Sequence, residues 1–279
     1  MKNQLSCLIL LLLANALFAQ KISVGKVDEA RSTGDSYFGN RLDVELRVSG
    51  EEVRKYKYVK VSGLNKATDD QGIDLIDEDE LRFSYQQIEE NFVNLSIRMH
   101  NSSRKATLIK EITGEVTLFN PTEANGAVLK VANFQNKPNA NLLPAKAPLK
   151  MVYLDKKAYE EFHKANKDKT EAEMKKLPEA TRQVAQMLLE AFEGFSFMGE
   201  DENQLTFLLD GDVEKLVDVK FEDENGKAVE TNGSFTSGGT LKSYMFSTPP
   251  SPKWKMTVLV ETSGAIKKIP FALKDIELP

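Results

Sequence analysis

Seven carboxylates fall within twelve residues: Asp69, Asp70, Asp74, Asp77, Glu78, Asp79 and Glu80. A hard cation such as calcium takes about six to eight oxygen ligands, and like charges crowded on one loop gain from a divalent ion among them. Asp69, Asp70, Asp74, Asp77 and Asp79 are therefore the candidate calcium ligands, although their spacing is not that of an EF-hand loop. A solvated acidic loop is the competing reading. Glu200-Asp201-Glu202, Asp210-Gly211-Asp212 and Glu222-Asp223-Glu224 are smaller acidic groups and read as turns.

Other reagents are sparse. The two histidines, His100 and His163, have no histidine at metal-ligand spacing. The one cysteine, Cys7, precedes the folded part of the chain, so the remainder has no thiol nucleophile, disulfide or Cys-ligated zinc site. No nucleophile elbow, phosphate-binding glycine loop or His-Glu-x-x-His motif occurs. A carboxylate pair could still hydrolyse a glycosidic bond, since that chemistry needs no histidine. The sole tryptophan, Trp254, would suit sugar stacking if exposed, but it shares parity with Met256, Val258 and Val260, which points it inward. Tyr56 and Tyr58, among Lys55, Lys57 and Lys60, offer either a binding rim or strand packing. Asn94, Asn101 and Asn232 begin Asn-x-Ser sequons, which matter only in a eukaryotic secretory pathway.

The elements that must carry these residues belong to a chain of 279 residues, 41% apolar and 28% charged, with formal charge −5. That mixture is globular, and a mildly acidic chain without a basic block has no electrostatic footprint for nucleic acid. Lys2, the apolar run from Leu5 to Leu13 and the small residues before Gln20 have the layout of a secretory signal peptide over residues 1–19. Cys7 lies too early for lipid attachment at the cleavage point, and no later stretch is long and apolar enough to span a membrane. The expected location is the bacterial periplasm or the extracellular space.

Period-two alternation dominates residues 20–132. Leu42, Val44, Leu46 and Val48 share one parity, as do Leu95, Ile97 and Met99, and then Val116 and Leu118. Residues 133–154, with Pro138, Pro144 and Pro148, read as a linker and a connecting strand. Residues 155–195 change to helical spacing, with Asp155 and Thr170 as caps and Leu177, Val184, Leu188, Ala191 and Phe195 as an apolar stripe. This insertion is expected to lay its stripe on a sandwich of the same chain. Alternation resumes over residues 196–279 through Leu205, Phe207 and Leu209, then Val217, Val219 and Phe221, with a hairpin signal at Asp223-Glu224-Asn225-Gly226. The fold expected is mainly β: two antiparallel sandwiches with a helical insertion between them. Matching strand patterns offset by about 154 to 161 residues suggest two copies of one unit, with residues 106–118 set against 265–278.

Asp69-Asp70-Gln71-Gly72, Asn94-Leu95-Ser96-Ile97-Arg98-Met99 and the run Leu108 to Leu118, together with the closing Lys267 to Pro279, resemble exported bacterial immunoglobulin-like proteins of uncharacterised function. The resemblance implies a fold and assigns no catalytic residue. The functional expectation is a non-enzymatic exported protein that binds or scaffolds another envelope or extracellular macromolecule, a protein or a glycan. The alternative is a carbohydrate-binding or carbohydrate-hydrolysing module built on Trp254 and paired carboxylates.

Overall fold

The computed structural model describes residues 21–33, 39–80, 83–161, 164 and 202–279. The chain is mainly β, and its described strands form four antiparallel sheets, none closed into a barrel. They divide between two compact units. One takes the chain up to Pro121 together with Ser263–Pro279; the other is Thr122–Thr262.

In the first unit, β1 (Lys21–Ala30), β2 (Arg41–Ser49) and β5 (Phe92–Met99) form one sheet in the order β1-β2-β5. The second sheet has the order β15-β6-β3-β4, from β3 (Tyr58–Asp69), β4 (Gln86–Gln87), β6 (Leu108–Phe119) and β15 (Ile266–Glu277). Alternation decides which side of each strand is dry. Leu42, Val44, Leu46 and Val48 are wholly buried on β2, and Leu95, Ile97 and Met99 face the same core from β5. Val59, Val61, Val116, Leu118 and Ile269 enter it from the other sheet, an arrangement compatible with a β-sandwich. Each such aliphatic side chain contributes roughly 1.5–3 kcal/mol of transfer free energy. Gly114 lies opposite Phe271 in the β6–β15 register, and a Cβ there would sit 2.5 Å from the Gly63 carbonyl oxygen. Only glycine lets these backbones and the Phe271 ring approach so closely.

In the second unit, β7 (Val128–Ala132), β10 (Leu216–Glu222), β11 (Ala228–Val229) and β14 (Lys255–Val260) form a sheet ordered β11-β10-β14-β7. The other sheet is ordered β12-β13-β9-β8, from β8 (Leu149–Leu154), β9 (Gln204–Gly211), β12 (Gly233–Ser237) and β13 (Leu241–Met245). The core here is aromatic. Phe221 meets Tyr244 edge-on at 5.2 Å and Phe246 at 5.1 Å, and Phe207 lies 5.9 Å from Phe134.

The strand partners differ from the sequence reading at both boundaries. The closing strand β15, grouped by sequence with residues 196–279, pairs along its length with β6 and so belongs to the first unit. β7, grouped with residues 20–132, pairs with β14 in the second. The segments 106–118 and 265–278, aligned as equivalent parts of a repeat, are sheet neighbours instead. The stretch read as a linker is woven into the second unit, with Phe134 wholly buried and Leu143 only 4% exposed.

The expected helix start at Asp155 is present. Residues 156–161 are helical, and the Asp155 carboxylate accepts the Ala158 amide at 2.8 Å, satisfying one donor of the first turn. Ala158 and Tyr159 pack with Val152, Leu154, Leu208 and Leu241 on the outer face of the β8–β9–β13 sheet. Leu177, Val184, Leu188, Ala191 and Phe195 lie outside the described residues.

Candidate functional site

The acidic segment after β3 does not assemble its carboxylates. Asp69 is 2% exposed, and its Oδ1 accepts the amides of Gln71 and Ile73 at 2.9 and 2.8 Å. Its Oδ2 accepts the Ser103 amide at 2.8 Å. Asp69 is therefore a structural tie between the end of β3 and the loop before β6. At Asp70, desolvation opposes ionisation, but bonds from the Thr107 hydroxyl and amide outweigh it and hold the carboxyl below its usual value. Asp74 accepts the Ile76 amide, while Asp77 accepts the Asp79 amide and lies 3.4 Å from His100 Nδ1. Of the five predicted calcium ligands, Asp69 and Asp70 thus tie the end of β3 to the loop before β6, Asp74 and Asp77 close local turns, and Asp79 is engaged through its backbone. No set of three or more His, Cys, Asp or Glu side chains is grouped for a metal ion among the described residues.

Nearby, a polar knot went unnoticed in the sequence. Glu29 Oε1 accepts from Arg31 at 2.6 Å, from Asn101 Nδ2 at 3.1 Å and from both the amide and hydroxyl of Ser102. Arg31 also reaches the Ser102 carbonyl, and Asn101 reaches the carbonyls of Ala30 and Arg41. Every partner anchors the same loop, so the knot is structural.

The aromatic candidates are packed. Trp254 is 6% exposed, with its ring edge-on to Phe246 at 5.0 Å, which leaves no flat face for a sugar. Tyr56 packs against the first unit's core, and Tyr58 lies 5.9 Å from Phe119.

Among the described residues the second unit has an open groove of about 350 Å³. Its walls come from the turn before β10 (Val213, Glu214), from Leu216 and Asp218 on β10, from Lys242 and Tyr244 on β13, and from Ser234 and Thr236 on β12. The register explains the lining. Ser234 pairs with Tyr244, Thr236 with Lys242, and Lys242 in turn with Phe207. Parity therefore puts Lys242 on the face that carries Phe207, Tyr244 and Phe246 into the core. Burial pushes its ammonium below the ordinary lysine value, with the charge of Asp218 opposing that shift. Burial, then Asp218, raises the Tyr244 phenol, which stays neutral at neutral pH.

Lys242 Nζ sits 5.5 Å from the centre of the Tyr244 ring and makes no ion pair or hydrogen bond with the described residues. Asp218 is occupied by the Val219 amide and by Lys220 at 4.0 Å. A half-buried cation with no more than a ring and the through-space charge of Asp218 beside it is under-compensated, and an anion in the groove would relieve it. The sequence carried a signal for this in Leu241-Lys242-Ser243-Tyr244-Met245-Phe246, where a lysine shares parity with two aromatics.

No protein-family model, curated protein or solved structure matches the chain.

Proposed function

We propose that this chain is an exported binding protein of the bacterial envelope or extracellular space, non-enzymatic and built on two immunoglobulin-like sandwiches. It contacts another macromolecule through the groove of its second unit. The observation that carries this reading is the Lys242 ammonium, half-buried at the wall of an open groove and without an ion-pair partner among the described residues. A protein that kept such a group solely for stability would be expected to pair it, because an unpaired buried charge costs free energy. Export is supported by the charged start, apolar run and small residues over 1–19. The sugar-platform alternative loses its principal residue, since the Trp254 ring is enclosed.

The test uses the chain from Gln20 onward. This form has no cysteine, so Thr236→Cys creates a single attachment point for a photocrosslinker. In envelope extract the label at position 236 should give a discrete adduct that Lys242→Met suppresses. A discrete adduct from Ile73→Cys on the first unit, with none from position 236, would place binding elsewhere and overturn the proposal.

A further inference from the structure

We infer that β12 is a docking edge for an extended peptide that pairs with it as an added strand and carries an acidic side chain to Lys242. This rests on the binding reading of the groove and names the occupant.

Two independent observations carry it. The first concerns the edge. β12 pairs with β13 on one side only among the described strands. An exposed edge invites another strand, and proteins blunt such edges with charge, proline, bulges or cover. The other edges show these devices. β15 contains Pro270, Lys267, Lys268 and Lys274, and β1 has a bulge between Val24 and Lys26 and bears the Lys26–Asp28 pair. β5 carries Arg98, ion-paired with Asp43, β7 carries Lys130, and β8 is bridged by Asn141 at Val152. β4 and β11 are two residues long. β12 reads Gly-Ser-Phe-Thr-Ser over five residues, with no charge, no proline and an unbroken register. Strand addition at such an edge supplies affinity through main-chain hydrogen bonds, while alternate side chains supply specificity.

The second observation concerns charge. Ser234 and Thr236 share the groove face with Lys242, and Thr236 pairs with it directly. Neighbouring strands lie about 4.8 Å apart, so a strand added to β12 would run roughly 10 Å from β13. Lysine and glutamate side chains extended toward each other span that gap. Asp218 and Glu214 line the groove as well and disfavour a polyanion, so the occupant carries a single carboxylate on an otherwise uncharged strand.

The probe is a capped peptide of alternating valine and threonine with one central glutamate, compared with its glutamine counterpart. The glutamate peptide should bind at least roughly tenfold more tightly, as expected for one charge-assisted hydrogen bond. It should slow amide hydrogen exchange within Gly233–Ser237. Lys242→Met should remove the preference for glutamate, and Lys242→Arg should restore it. Binding without protection of β12 overturns the strand addition. Equal binding of both peptides, or of neither, overturns the inference. A glycan adduct at position 236 would also overturn it while leaving the groove a binding site.

Discussion

The carboxylate of Asp69 accepts a 2.8 Å hydrogen bond from the backbone amide of Ser103, thirty-four residues away in sequence. The bond fastens the turn that ends β3 to the loop that begins β6, and both Asp69 and its neighbour Ser102 are buried. Asp69→Asn should destabilise the chain by about 1–3 kcal/mol, because one buried amide donor loses its acceptor. Urea unfolding of the variant measures this, and a change within error would show that the loop is held by other contacts.

The same geometry bears on calcium. With Asp69 committed to three amides, an ion at this loop would draw on Asp70, which Thr107 already engages, on Asp74 and Asp77, which close separate turns, and on Asp79. The melting temperature in millimolar calcium should therefore agree with that in chelator to within about 1 °C. A larger rise would reveal binding to the folded state by mass action.

Glu29 gives the fold an acid-sensitive point. Burial opposes its ionisation, but bonds from Asn101, Arg31 and Ser102 prevail and hold its folded pKa below 4.5. A depressed carboxylate contributes stability that is full above the unfolded value and is lost as pH falls through the folded one. Glu29→Gln should cost about 1.5–3 kcal/mol near neutral pH. The gap to the parent should narrow below pH 4.5 in denaturant titrations. A gap independent of pH would mean that the charge contributes nothing.

Trp254, the sole tryptophan, reports on the second unit alone. Its enclosure beside Phe246 predicts weak acrylamide quenching in the native state and a red shift on unfolding. Trp254→Ala should cost about 3–5 kcal/mol, the range for a large aromatic removed from a core. Strong native-state quenching would place the ring in solvent and revive the sugar platform.

Much of the strand content was legible because a half-buried strand shows its dry face every second residue. Leu42 to Val48 and Leu95 to Met99 are buried as their parity requires. The turn after β10 was legible too. Asp223 closes on Lys227 at 2.8 Å, and Gly226 takes φ +81. Parity names a face but not a partner, and this is why β15 was grouped with the wrong strands: Ile269 and Phe271 would alternate in either sheet. Phe134 was hidden by the prolines and asparagines around it, which look like a linker while the ring fills a core. Lys242 was missed because a lysine in an alternating strand ordinarily marks the wet side. Here it stands on the side of Phe207 and Tyr244, as its parity with Tyr244 and Phe246 hints and the register of three strands establishes.

The most direct test of the groove as the working surface is the acylation rate of each lysine, read by mass spectrometry after a short pulse of reagent. Burial lowers the folded pKa of Lys242 below 10.5, so the unfolded chain binds more protons through that window and the cation costs stability that is recovered as pH rises. Lys242→Met should therefore be at least as stable as the parent at neutral pH, as expected for a group kept for function. In the free protein the Lys242 amine, at the wall of the open groove, should be acylated at a measurable rate. With the glutamate peptide bound, Lys242 should lose that reactivity while the other lysines keep theirs. An unchanged Lys242 rate under saturating peptide would show that the groove is not the surface the peptide occupies.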